Sequence, residues 1–238
     1  MSIKAVLFDL DGTLLPMDQE KFVKAYLGLL GKHLEPKGYE FDKFIKVMWM
    51  GVSAMMNNDG SCTNEEVFWK IFTEVYGKEV LKDRPFIDEF YCNEFHQVQK
   101  VCGYSEDAKK ILELVKAKEK LAVLATNPLF PHTATENRMK WAGLTPEMFA
   151  EYTTYEDCHY CKPNPKYYLE LLDRLGLKPE ECIMVGNDFE EDILAADSLG
   201  MQGFLLTDCL INKRAQDISG YPQGDFAALR RYLQNSLN

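Results

Sequence analysis

At 238 residues the chain has room for one large domain or two smaller ones around a real core. Its 46% hydrophobic and 27% charged residues are the balance of a soluble globular protein, and a formal net charge of -10 argues against a nucleic-acid or anionic-membrane surface, which needs a basic patch. No apolar run approaches the ~20 residues of a membrane span. Seven cysteines without framework spacing and no signal peptide before the first strand predict free thiols in a reducing, cytoplasmic setting.

Residues 5–13 read A-V-L-F-D-L-D-G-T, an apolar run too short for a helix that ends on Asp9, Asp11 and a turn at Gly12. Helical spacing follows over Asp18–Leu30, Phe41–Met56 and Asn64–Tyr76, the last behind a cap-like Thr63-Asn64-Glu65-Glu66, and again from Pro85 through Val98. After Gly103 the pattern changes. A helix is predicted over Glu106–Lys118, then a buried strand Leu121–Ala125 ending at Thr126-Asn127-Pro128, and helical residues through Arg138–Trp141. A short strand over Phe149–Thr154, a helix Pro165–Leu175 and a strand Cys182–Val185 come next. A helix Glu190–Leu199, a strand Gly203–Leu206 and a closing helix Phe226–Leu233 complete the reading.

Strands alternating with helices predict an α/β fold, a Rossmann-like parallel sheet with helices on both faces. The helical stretch breaks that alternation after the first strand, so residues 16–95 are expected to be an inserted, mostly α-helical domain within a core of 1–15 and 96–238. Cys158 and Cys161 have C-x-x-C spacing, but no second ligand pair stands at zinc-site spacing and Pro163 and Pro165 follow, so packing is the preferred reading.

Open parallel sheets bind ligands beyond the carboxyl ends of their strands. Asp9 and Asp11 end the first strand, Thr126 and Asn127 the second, and Asn187 and Asp188 the strand from Cys182, with Asp192 one helical turn on and Lys162 after the short third strand. Singly, most have bland readings: a turn acid, a loop exit, a surface lysine, an acid facing a helix dipole. Together, several carboxylates at one sheet end repel one another unless a cation joins them, and oxygen-only ligands favour Mg²⁺.

In these residues the chain resembles the haloacid dehalogenase-like superfamily of aspartate-nucleophile phosphohydrolases. Asp9-Leu10-Asp11-Gly12-Thr13 matches its D-x-D-G-T motif, Thr126 its strand-end Ser/Thr, Lys162-Pro163 its lysine, and Gly186, Asp188 and Asp192 its acidic loop, within a likeness spanning residues ~4–206. Many relatives carry an acid where this chain has Asn187. The resemblance implies that the helical insert is a cap, that Asp9 is the nucleophile and Asp11 the acid–base, and that Thr126, Asn127, Lys162, Gly12 and Thr13 meet the phosphoryl group. Metal ligands are then expected among Asp9, Asp11, Asp188 and Asp192, with Asp188 in direct contact and Asp192 acting through water or neighbours. The implied activity is Mg²⁺-dependent hydrolysis of a small phosphorylated metabolite. Alternatives are a phosphomutase using the same aspartyl-phosphate and a non-catalytic metabolite-binding protein on the same fold. Carbon–halogen hydrolysis is disfavoured, because a halide leaves without the proton that Asp11 would carry.

Overall fold

The computed structural model describes residues 2–237. Strand β1, Ala5–Phe8, is buried at every residue. Helix α1, Gln19–Leu34, starts where Asp18 accepts a hydrogen bond from the Lys21 N–H. Helix α2 spans Phe41–Met56, and α3, Asn64–Tyr76, opens on a capping box between Thr63 and Glu66. Helix α4, Arg84–Cys92, stops at Asn93, and the run to Val101 that continues it is 3-10 rather than the single helix the periodicity predicts. Tight turns there turn Phe95 and Val98 fully inward. Helical structure thus fills the chain from Gln19 to Val101, between β1 and the rest of the sheet.

Helix α5, Glu106–Ala117, leads into β2, Leu121–Leu124, and α6, His132–Trp141, into the short β3, Glu151–Tyr152. Helix α7, Pro165–Leu175, has Asn164 as N-cap and Gly176 in the left-handed region at its end, and is followed by β4, Cys182–Gly186. The next segment is a wide π-helical turn, Phe189–Leu194, running into the three-residue α8, Ala195–Asp197. Strand β5, Gln202–Leu206, the two-residue β6, Gln223–Gly224, and α9, Phe226–Ser236, complete the fold.

The six strands form one parallel sheet in the order β3-β2-β1-β4-β5-β6. Strand β1 lies at its centre, with Phe8 opposite Leu124 of β2 and Val185 of β4. Alternation divides its side chains between two apolar layers. Val6 and Phe8 join the layer shared with the helical insert, α5 and α9, whereas Ala5 and Leu7 join the layer under α7 and α8. Because β1 is flanked on both sides, the residues just past Phe8 sit at the middle of the sheet's carboxyl edge. No described helix is long and apolar enough to cross a membrane.

One seam between the insert and the core lies at the start of α3. The Asn64 backbone N–H donates to the Cys158 carbonyl (2.8 Å) and the Glu65 N–H to the Tyr155 carbonyl (2.8 Å). The buried Asn64 side chain reaches the Pro128 carbonyl (3.3 Å) and Cys161 Sγ (3.3 Å) and is itself held by Asn58 (2.9 Å). The C-x-x-C segment is therefore part of this seam, and Cys158 and Cys161 are buried free thiols packed into it. Between the insert helices and the loop after β2 lies a mostly apolar cavity of 120 Å³, lined by Tyr26, Met48, Trp69, Tyr91 and Phe130 among others.

Candidate active site

Asp9 follows directly on the last residue of β1, its N–H bonded to the Val185 carbonyl (2.9 Å). Its carboxylate is 6% exposed, a placement that a charged group tolerates only with partners. One oxygen accepts from Lys162 Nζ (2.9 Å), and Thr13 Oγ1 lies 3.2 Å from the other. Lys162 is itself 1% exposed and donates a second bond to Asp192 Oδ1 (2.7 Å), so one ammonium bridges two acids that are 183 positions apart in the sequence. Burial pulls the lysine down, but Asp192 and Asp9 outweigh it and push the Lys162 ammonium well above its ordinary value. Burial also pushes the Asp192 carboxyl up while Lys162 pulls it back, and the short contact to Nζ makes the two an ion pair.

Asp192 uses its other oxygen to accept the Asp188 N–H (3.0 Å). Both of its oxygens are therefore occupied by protein donors. Asp188 caps the π turn instead, one oxygen accepting the N–H groups of Glu190 and Glu191 (both 2.9 Å) while Oδ2 accepts from no described group. The wide turn that departs from the predicted α-helix follows from this folding-back, and Gly186 makes room for it. A Cβ at Gly186 would stand 2.1 Å from Asp192 Oδ2.

Gly12 adopts φ 88°, and a Cβ there would lie 2.4 Å from Asn187 Nδ2. Asn187 packs in that space, accepts from Thr13 Oγ1 (3.0 Å) and donates to the Cys209 carbonyl (2.7 Å). An acid at this position would lose the second bond; with both bonds, Asn187 ties the loop after β4 to those after β1 and β5. Thr126 is buried at the end of β2, where its carbonyl accepts from Thr153 (2.6 Å) and Tyr167 (2.9 Å) while its hydroxyl donates to no described group. Asn127 donates to Glu191 Oε2 (3.0 Å) and to the Lys162 carbonyl (3.4 Å), and its own Oδ1 is buried without a partner.

Asp11 is held from another direction. Arg138, fully buried on α6, donates through one amino group to Asp11 Oδ2, whereas Asp11 Oδ1 is buried and unpartnered. Burial pushes the Asp11 carboxyl up, the Arg138 charge opposes this, and the nearby Asp9 adds to the rise. The structure thus brings Asp9, Asp11, Thr13, Thr126, Asn127, Lys162, Asp188 and Asp192 to one edge of the sheet, from four separated segments. Among the described residues no three His, Cys, Asp or Glu side chains form a cation cage. A metal would have to be met by a mixed set that includes main-chain oxygen.

A family model for haloacid dehalogenase-like hydrolases matches residues 3–200, which takes in every one of these positions. The chain belongs to this family. As a haloacid dehalogenase-like hydrolase it is 28% identical to the pyrophosphatase PpaX of Bacillus cereus (strain AH820), over 84% of this chain and 81% of that protein. It is 45% identical to the glyceraldehyde 3-phosphate phosphatase of Methanothermobacter thermautotrophicus, over 24% of this chain and 26% of that protein. In fold it is similar to the 2-haloacid dehalogenase of Pseudomonas syringae pv. Tomato DC3000, with TM-score 0.63 and 20% identity over 98% of this chain and 99% of that one.

Two residues of this hydrolase's site escape motif reading. Arg138 sits in H-T-A-T-E-N-R-M-K-W, a helix without an apolar stripe, and only the three-dimensional fold brings it to Asp11, 127 positions away. Glu191 is one of three consecutive acids, and the π turn swings it to Asn127. Its carboxyl is pushed up by burial, against the pull of Lys162. Signals that could have found them are weak: an arginine with no acid three or four positions away in its own helix, and an extra acid in the loop after β4.

Proposed function

We propose that this hydrolase is a Mg²⁺-dependent phosphatase that acts on a small phosphorylated metabolite through an aspartyl-phosphate on Asp9. The observation that carries this reading is the Asp9–Lys162–Asp192 bridge beside Asp11. It sets a carboxyl group bonded to the Lys162 ammonium next to a second acid with one unpartnered oxygen. A carboxylate needs no deprotonation to attack phosphorus at neutral pH, and Lys162 keeps Asp9 and an incoming phosphoryl dianion from repelling each other. The names of the two curated relatives, a pyrophosphatase and a phosphomonoester phosphatase, support phosphoryl chemistry over carbon–halogen cleavage.

In the first step an Asp9 oxygen bonds to phosphorus, the bond from phosphorus to the leaving oxygen breaks, and Asp11 Oδ1 gives that oxygen a proton. In the second, water attacks the same phosphorus, Asp11 takes a proton from it, and the bond to Asp9 breaks to release inorganic phosphate. The Thr126 hydroxyl would donate to a phosphoryl oxygen, whereas the Gly12 N–H already donates to the Leu15 carbonyl (2.8 Å). Asn127 and Glu191 close the edge of the site.

A hard cation fits the donors at hand: Asp188 Oδ2, the Asp11 carbonyl, which accepts no hydrogen bond among the described residues, and a carboxylate oxygen of Asp9. When bound, Mg²⁺ supplies charge to offset that on the phosphoryl oxygens. Asp192 acts at one remove in this scheme, holding Lys162 and the Asp188 N–H. The helical insert serves as the cap in this reading.

A panel of phosphorylated metabolites, assayed for released phosphate with and without Mg²⁺, tests the reading. Turnover that needs Mg²⁺ and vanishes in Asp9→Asn is expected. Interconversion of a phosphosugar without free phosphate would move the chain to the mutases, and full activity in Asp9→Asn would end the aspartyl-phosphate mechanism.

A further inference from the structure

Arg138 has a pattern of bonds that a simple ion pair does not explain. Its guanidinium is 0% exposed. Nη1 donates to Asp11 Oδ2, Nη2 to Thr135 Oγ1 (3.2 Å) and Nε to the Ala134 carbonyl (3.3 Å), while the ring of Phe130 stacks 4.4 Å from its central carbon. The fork of an arginine matches a carboxylate two-to-two, and that is its strongest geometry. Here one prong is diverted to Thr135, and Asp11 Oδ1 is left buried with no partner. Leaving such an oxygen unpaired is costly, and an arrangement built only for stability would close it or replace the pair with apolar side chains.

We propose that Arg138 is a positioning residue for proton transfer: by holding Asp11 Oδ2 it fixes the side chain and reserves Oδ1 for the leaving oxygen and then for water. This rests on the acid–base role given to Asp11 above. The stacking on Phe130 and the bonds to Thr135 and Ala134 keep the guanidinium from following the carboxylate, so Asp11 is pinned by a fixed point on α6. Holding the acid in line matters only when the leaving group needs its proton. A 4-nitrophenolate leaves without one, whereas an alkoxide does not.

The test is kcat/KM, which reports the first irreversible step, for 4-nitrophenyl phosphate, phenyl phosphate and an alkyl phosphate. Arg138→Met is expected to lose about 30-fold or more on the alkyl ester and less than about threefold on the nitrophenyl ester, since general acid catalysis contributes about 10²–10⁴. Arg138→Lys should recover part of the loss. Asp11→Asn should show the same selectivity, and adding Arg138→Met to it should cost nothing further. Equal losses on all three esters beside a selective Asp11→Asn, or an additive double variant, overturn the positioning role of Arg138 alone. An unselective Asp11→Asn overturns it together with the acid–base role of Asp11, while the need for Asp9 is read separately from Asp9→Asn. If Arg138→Met does not fold, Arg138→Lys and Thr135→Ala, which frees the second prong, carry the same comparison: selective loss supports the role and uniform loss refutes it.

Discussion

Removing one member of the Asp11–Arg138 pair strands the other charge where water barely reaches. Asp11→Asn is therefore expected to lose about 3 kcal/mol of stability in addition to activity, because breaking a buried pair from one side leaves an uncompensated ion. Urea unfolding measures this, and the double variant Asp11→Asn/Arg138→Met should regain most of the loss. If the double is as unstable as the sum of the singles, the pair is not coupled. Asp9, Asp11, Thr126 and Asp188 could be placed from sequence because each lies just past a strand end, and Lys162 because it stands in a Lys-Pro step in the loop that follows β3. Arg138 could not. Its environment is made by Phe130, Thr135 and Asp11, and only the last belongs to a motif. Asn187 was visible as a departure, but its reason, the bond from Thr13 and the contact over Gly12, needs the folded loops.

Among the elements, the turn after β4 is the most demanding. Gly186→Ala puts a methyl group where the Asp192 carboxylate now sits, so Asp192 must leave either Lys162 or the Asp188 N–H. A loss of about 1–3 kcal/mol, typical of overpacking, is expected together with near-complete loss of turnover, from thermal unfolding and the phosphate assay. Normal activity would show that Asp192 is dispensable. The segment before Lys162 makes a different prediction. Burial pushes the Cys158 thiol up to about 11 and the Cys161 thiol higher, so at pH 8 both are protonated and unreactive. Iodoacetamide should label the exposed Cys92 in the native protein and reach Cys158 and Cys161 only after unfolding, as read by mass spectrometry. Labelling of all three at one rate would refute the packed seam. Helices α2, α3 and α7 were readable to the residue because their apolar spacing is local, and α3 and α7 also carry side-chain N-caps. Strand β6 was not, since Gln223–Gly224 carries no apolar run and exists only because β5 offers an edge. The π turn was hidden for a similar reason: its phase is set by Asp192 folding back on Asp188.

For the whole molecule, Asn64 is where the helical insert meets the two loops that deliver Thr126 and Lys162. Asn64→Ala removes both side-chain bonds across the seam and is expected to cost about 1–2 kcal/mol. Faster amide exchange over residues 58–65, with the sheet unchanged, would localise the effect. Unchanged exchange there would mean that apolar packing alone holds the seam.

The central place of β1 has one more consequence, in the order in which the chain is made. Its two acids precede their partners in the chain: Arg138 follows Asp11 by 127 positions, Lys162 follows Asp9 by 153, and Asp192 comes later still. On the ribosome the middle of the sheet must wait for β4 to slot in beside β1, and contacts of such long range form late. A nascent chain shorter than this span lacks Lys162 and Asp192 and so lacks the bridge that holds Asp9. The site is assembled only once the chain has been made through Asp192.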